Sequence, residues 1–261
     1  MKRVVLTLAL ILFSTSVFPC LIFFFSTGGH VIIGNHEDWT ARDARVRFIP
    51  ANGKLLGTVV FDFESEGLIQ GGMNTAGFFF DGTATPFVPL DFSGKEDFKG
   101  KDFWLTLLQT SSTVEEAVAF IKKYKVPDLE RVHLLFADRS GKSVIVGAYD
   151  GALTFTWRDK PFQVLTNFNI VDPEYGGELP CPRFATANKI LSGQDPMKHV
   201  KTILAETTQG ELTVYSNLYD LTTQTVEVFY LGDFSKSLTF NLHDELKKGA
   251  HGIMLDILEK K

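Results

Sequence analysis

"SVFPCLIFFFSTGGHVIIGNHEDW", residues 16–39, decides how the rest of the chain is read. Two apolar runs, Leu21–Phe25 and Val31–Gly34, flank "STGGH", a hairpin connection with two glycines. Cys20, one of two cysteines in the chain, stands directly after a proline and directly before the first strand. Four readings are open for it: half of a disulfide, a buried core residue, a lipid anchor, or a nucleophile that becomes the first residue of a mature chain.

Upstream of this stretch the pattern is that of an export signal. Lys2 and Arg3 give a positive start, Val4–Phe13 is an apolar stretch, and Ser14, Thr15 and Ser16 are small and polar. Ser14 and Ser16 suit a signal-peptidase site, whereas Pro19 suits it poorly. A lipoprotein signal needs small residues before its cysteine, and Val17-Phe18-Pro19 does not offer them. Residues 1–19 are therefore read as a cleaved signal peptide and 20–261 as one domain. The expected product is exported, periplasmic or secreted, and keeps no stable membrane anchor after processing.

The 261 residues are 44% hydrophobic and 22% charged, enough apolar material for a substantial core. A net charge of -5 without a long basic run argues against a nucleic-acid surface. The 24 phenylalanines predict a thick aromatic core or an aromatic-lined pocket.

Further along, Val46–Ile49, Thr58–Phe63 and Gly77–Phe80 read as strands. The period then becomes helical over Phe103–Gln109 and over "SSTVEEAVAFIKKYKVP", where Ser112 with Glu115 reads as a capping box. "VHLLFADRSGKSVIVGAYDG" is a hairpin turning at Ser140-Gly141, followed by strands at Ala152–Trp157 and Phe162–Leu165. "PRFATANKIL" and "MKHVKTILAET" are helical; Leu212–Asp220 and Thr225–Leu231 form a last hairpin, and a helical tail is expected from Leu242. Alternating groups of strands and helices predict an α+β fold with two sheets and helix layers outside.

Several common chemistries are missing. "NHEDW" breaks the H-E-x-x-H zinc pattern, "SGKS" lacks the first glycine of a P-loop, and neither G-x-S-x-G nor G-x-G-x-x-G occurs. No cofactor and no metal are expected. A cysteine at a chain start, by contrast, carries thiol and α-amine together. The amine, with a pKa near ~8, can take the thiol's proton. If the first two strands pair, Asp38 at the end of the second lies near the start of the first and could hold that amine. Asn167 in "VLTNFN" follows a strand end, where its amide could donate to an oxyanion. Arg183 in "CPRF" could supply positive charge to the thiol.

Taken together, a strand-initial cysteine, "GNHEDW", "QGGMNTAGFFFDG", "LTNF" and "PRFATA" resemble the linear amide C–N hydrolases. These are the choloylglycine hydrolase and penicillin V acylase group of N-terminal-nucleophile hydrolases, related to isopenicillin-N acyltransferase. The resemblance runs from Cys20 to about Asp233. It implies a four-layer αββα sandwich and cleavage of a linear, non-peptide amide of a small N-acyl substrate. It implies that Cys20 is the nucleophile, that Asp38 binds its amine, that Asn167 is the oxyanion asparagine and that Arg183 lies near the thiol. The chain departs from the pattern at Asn35, where those enzymes carry arginine. It departs again near Ala84, where a second oxyanion residue falls and backbone amides around Gly82 would have to serve. Asn35 and Gly82 are thus read as substrate-binding positions, and the bile-salt substrate is less expected than the mechanism.

Competing readings follow from the same residues. Cys20 could pair with Cys181 in an exported structural protein. The sandwich could be a catalytically silent binding domain with an aromatic pocket. His36 and Asp38, on one strand face, could bind a metal but lack a third ligand. Nothing in the chain opposes a homo-oligomer, and hydrolysis is not separated from acyl transfer.

Overall fold

The computed structural model of the protein describes residues 20–174 and 181–259; the signal-peptide reading of 1–19 falls outside them. Among the described residues, fourteen strands build two antiparallel sheets. They are β1 (Leu21–Thr27), β2 (His30–Asp38), β3 (Ala44–Ile49), β4 (Thr58–Phe63), β5 (Ile69–Asn74), β6 (Phe78–Ala84) and β7 (Val132–Asp138). The series continues with β8 (Ser143–Tyr149), β9 (Ala152–Trp157), β10 (Phe162–Leu165), β11 (Thr213–Asp220), β12 (Thr225–Tyr230), β13 (Asp233–Asn241) and β14 (His251–Met254). The first sheet has the order β10-β1-β2-β11-β12-β13, and the second β14-β3-β4-β5-β6-β7-β8-β9.

Strand alternation gives each sheet an inner and an outer face. The inner faces meet over Ile22, Phe24, Phe61, Phe79, Tyr215 and Tyr219, all buried in one cluster. Outside the second sheet lie α1 (Phe103–Thr110) and α2 (Val114–Lys123). They cover Phe78, Phe80, Leu134 and Phe136. Outside the first lie α3 (Pro182–Leu191) and α4 (Val200–Thr207), which cover Leu21, Phe23 and Phe25. The result is the expected αββα sandwich. The "FFF" of 78–80 divides as the pleat requires, Phe79 facing in and its two neighbours facing the helices.

The opening hairpin sets the register of the site. Gly28 and Gly29 both have positive φ (58° and 83°), the two-residue turn that glycines allow. Thr27 then faces His30 and Leu21 faces His36. Carried one step further, Cys20 comes opposite Glu37.

Three local expectations are corrected. The N-cap of α2 is Thr113, whose side chain accepts from Glu116 N, while Glu116 accepts from Ser112 N; the box lies one residue later than Ser112–Glu115. The tail is not one helix: α5 (Leu242–Leu246) is short, and β14 then joins the edge of the second sheet against β3. β5 was not anticipated because its "IQGGMN" carries two poor strand formers. Its glycines serve close packing. A Cβ on Gly71 would stand 2.6 Å from Asp81 Cγ, and one on Gly72 would stand 2.2 Å from the Val59 carbonyl oxygen.

Candidate active site

Cys20 sits at the entrance of β1, 6% exposed, with its side chain on the inner face of the first sheet. It opens into a cavity of about 330 Å³. Trp39, Ile69, Phe80, Trp104 and Leu134 supply apolar and aromatic walls, and Glu37, Thr83 and Asp128 supply polar ones. Two tryptophans are fixed by their indole N–H groups: Trp104 donates to Asp128 at 3.0 Å and Trp39 to Glu66 at 2.6 Å.

The thiol donates to Glu37 Oε1 at 3.6 Å. Glu37 is its cross-strand partner, so both side chains project from one face. Two residues back, Asn35 projects from that face as well and donates to Asp81 Oδ2 at 2.8 Å. The Gly82 N–H donates to Asp81 Oδ1 at 2.7 Å. Burial pushes the Asp81 carboxyl up to about 8. Burial, reinforced by Asp81 and Asp38, also raises Glu37 well above the carboxylate range. The Cys20 thiol is raised by its own burial and further by Glu37 and Asp38, with the Asp38 backbone N–H acting in the opposite direction.

Asp38 and His36 project from the opposite, helix-covered face. Asp38 is fully buried and accepts from Arg183 Nη1 at 2.8 Å and from Gln209 Nε2 at 2.9 Å. The Thr213 hydroxyl donates to its other oxygen. Arg183, near the start of α3, also donates from Nη2 to the Cys20 carbonyl at 3.3 Å and from Nη1 to the Thr207 carbonyl at 3.4 Å. The pair therefore clamps the backbone of Cys20 from behind while the thiol faces the cavity. His36 is held between Ser216 (2.8 Å) and Thr207 (2.9 Å). Because the Thr207 hydroxyl donates to Ile203, it accepts from Nε2–H of His36, and Nδ1 accepts from Ser216. Burial, with Arg183 adding to it, lowers His36 to about 3. Both ring nitrogens are engaged, which removes the His36–Asp38 metal reading. Among the described residues no cluster of three or more His, Cys, Asp or Glu is placed to hold a metal.

Asn167 lies just past β10, 3% exposed, and donates to the Ala84 carbonyl at 2.8 Å; Ala84 lines the cavity. Beside it, Thr83 donates to the Thr166 carbonyl at 3.0 Å. These two bonds tie the loop after β10 to the end of β6. Of the substrate-binding expectations, Gly82 lines the cavity, but its N–H is already engaged by Asp81. Asn35 lies behind the cavity wall, on Asp81. Cys181 precedes α3, and both cysteines are free thiols, so the disulfide reading finds no support here.

Glu37 and Asp81 were missed by sequence reasoning. The signal for Glu37 was present: a two-residue Gly-Gly turn fixes the pairing so that Glu37, not Asp38, opposes Cys20. Asp81 had no comparable signal, since its place depends on how the two sheets stack.

No protein-family model matches the chain, and no curated protein does. Solved structures do. A variant of the conjugated bile acid hydrolase of Clostridium perfringens superposes with a TM-score of 0.68 at 16% identity, over 90% of this chain and 96% of that one. Penicillin V acylase of Agrobacterium tumefaciens gives 0.59 at 19% identity, covering 81% and 82%. The N-acylethanolamine-hydrolyzing acid amidase orthologue of Caenorhabditis elegans gives 0.58 at 14%, covering 78% and 93%. The αββα sandwich is therefore the fold that this chain shares with these structures. All three of these structural neighbours are, by name, hydrolases or acylases.

Proposed function

We propose that the protein is an exported amidohydrolase that cleaves the linear C–N amide of a small N-acyl substrate, with Cys20 as nucleophile. The single observation that carries this reading is the position of Cys20. Its thiol opens into a cavity with aromatic walls, and its backbone is clamped by the buried Arg183–Asp38 pair. The likeness to the named amide hydrolases supports it. Once Cys20 begins the chain, its α-amine takes the thiol proton and the sulfur attacks the amide carbonyl. Asn167 is the candidate oxyanion donor, through the Nδ2 hydrogen not directed at Ala84. The aromatic walls suit an apolar acyl group. No cofactor and no stable membrane anchor are assigned, and among the described residues no helix is long and apolar enough to cross a membrane.

The test is direct. Protein incubated with a set of N-acyl amides should gain the acyl mass on Cys20 and release the amine, and Cys20→Ala should do neither while keeping its fold. Full cleavage by Cys20→Ala would sink the mechanism. One observation favours a second reading, a silent binding domain. The Gly82 N–H is engaged by Asp81 and the thiol is held protonated by its surroundings. In that case both thiols stay inert to alkylation, and an apolar ligand binds without turnover.

A further inference from the structure

Resting on that reading, we propose that Glu37 is the general acid of the reaction, delivering a proton to the nitrogen that leaves. The geometry singles it out. Glu37 is the cross-strand neighbour of Cys20, its Oε1 lies 3.6 Å from Sγ, and it lines the same cavity. Once Sγ has attacked the amide carbonyl carbon, the leaving nitrogen is two bonds from that sulfur, which places it beside the Glu37 carboxyl. Among the described residues Cys20 is the one hydrogen-bond partner of that carboxyl. A buried carboxyl without a cation or backbone donors is costly to keep, and an apolar side chain would fill the space more cheaply.

The groups facing Glu37 agree on its protonation state. Asp81 from β6, Glu66 from the loop before β5, and Tyr215 with Tyr219 from β11 act on it electrostatically, as does Asp38 from the other face of β2. None is cationic, and Arg183 is directed at Asp38 on the other face. Burial and these acids shift Glu37 towards its neutral, proton-donating form.

The protons balance over the cycle. In acylation the thiol proton goes to the α-amine, the C–N bond breaks, and Glu37 gives its proton to the departing nitrogen. A thioester, an α-ammonium and a Glu37 carboxylate remain. In deacylation water attacks the thioester, its proton returns to Glu37, the C–S bond breaks, and the α-ammonium reprotonates the sulfur. The free acid leaves and the site is restored.

The experiment compares two probes that share an acyl group: N-butyryl-7-amino-4-methylcoumarin, whose nitrogen must be protonated, and p-nitrophenyl butyrate, whose leaving group needs no proton. In Glu37→Gln, first-turnover release of the aminocoumarin should fall by about 10² or more, while first-turnover release of p-nitrophenol, which reads acylation alone, changes less than about threefold. Glu37→Asp should recover part of the amide activity, and it keeps the question answerable if the glutamine variant folds poorly. In the unmodified protein, amide turnover should fall as pH rises through the Glu37 titration, with ester turnover spared. An equal drop on both probes in Glu37→Gln would reduce Glu37 to a structural residue and overturn the proposal. An unmodified protein that never acylates Cys20 with either probe removes the amidase reading, and this proposal with it.

Discussion

Arg183 Nη1 meets Asp38 Oδ2 at 2.8 Å, and through Nη2 the same guanidinium holds the Cys20 carbonyl. The Asp38 side chain is fully buried and that of Arg183 is 11% exposed. A cation near a helix start gains nothing from the helix dipole, so Arg183 is held there by Asp38 and by the carbonyls of Cys20 and Thr207. Removing one partner of such a pair strands the other charge. Asp38→Asn and Arg183→Ala should each cost about 3–5 kcal/mol in denaturant unfolding, as well as most of the activity. Arg183→Lys should not rescue, because an ammonium lacks the planar fork that reaches both acceptors. A stability change below about 1 kcal/mol in Asp38→Asn would reduce the pair to an incidental contact.

Asn167 is the second test of the site. It joins the loop after β10 to Ala84 on the cavity wall, and its Oδ1 is buried without a partner among the described residues. If its remaining amide hydrogen stabilises the oxyanion, Asn167→Ala should lower turnover by about 10²–10³. Loss of the Ala84 bond should lower stability by about 1 kcal/mol. Single-turnover acylation of Cys20 separates the two effects. A rate within about threefold of the unmodified protein, with the stability loss present, would leave Asn167 a loop anchor.

The buried acids predict an unusual pH dependence of stability. Asp81, held at about 8, is protonated in the folded chain over a range where the unfolded chain has already released its proton. The folded state then binds more protons, so stability falls as pH rises from about 4 to about 8 and levels off above. His36 at about 3 and His133 at about 4 act in the opposite direction. For them the unfolded state binds more protons, and stability rises up to about pH 6.5. Above that pH the histidine contribution is complete and the acids dominate. Tm should decline between pH 6.5 and 8, with a slope of up to about 1.4 kcal/mol per pH unit from Asp81. Asp81→Asn should flatten the decline. A decline of the same slope in Asp81→Asn would assign it to other groups, Glu37 first.

Much of this architecture was legible from the chain because local signals and burial agreed. The Gly28-Gly29 turn, the alternating strands and the amphipathic α2 each carry their structure in a few neighbouring residues. β5 and β14 were not legible for opposite reasons. Gly71 and Gly72 look like turn formers, yet they are there to let Asp81 and β4 approach. His251–Met254 is a short edge strand whose pairing is decided by β3, two hundred residues away. The same division runs through the site. Cys20, Asp38 and Arg183 were readable as a set, but which face each occupies follows from register. Strand parity sends Asp38 and His36 towards the helices and Glu37 towards the cavity. Asp81 enters from the second sheet, which no linear pattern predicts.

Where the mature chain starts decides which group is the base. Facing Cys20 Sγ are carboxyl groups, and the neighbouring imidazole, His36, lies on the other strand face with both nitrogens engaged. A thiol raised by burial and by acids needs a base that brings positive charge when it accepts the proton. The α-amine of Cys20 does this, but only if Cys20 is the first residue; in a peptide bond the nitrogen is neither basic nor charged. Small residues at Ser14 and Ser16 favour cleavage after Ser16, which leaves Val17-Phe18-Pro19 in front. Cys20 then becomes the first residue by one of two routes, a peptidase that accepts Pro19 or a second trimming step. Intact mass and N-terminal sequencing of exported protein should find Cys20 first, and a form that retains Val17-Phe18-Pro19 should acylate at least about 10²-fold more slowly. Equal activity in the untrimmed form would overturn the amine as base and leave a carboxyl of the Glu37–Asp81 pair as the group that takes the thiol proton.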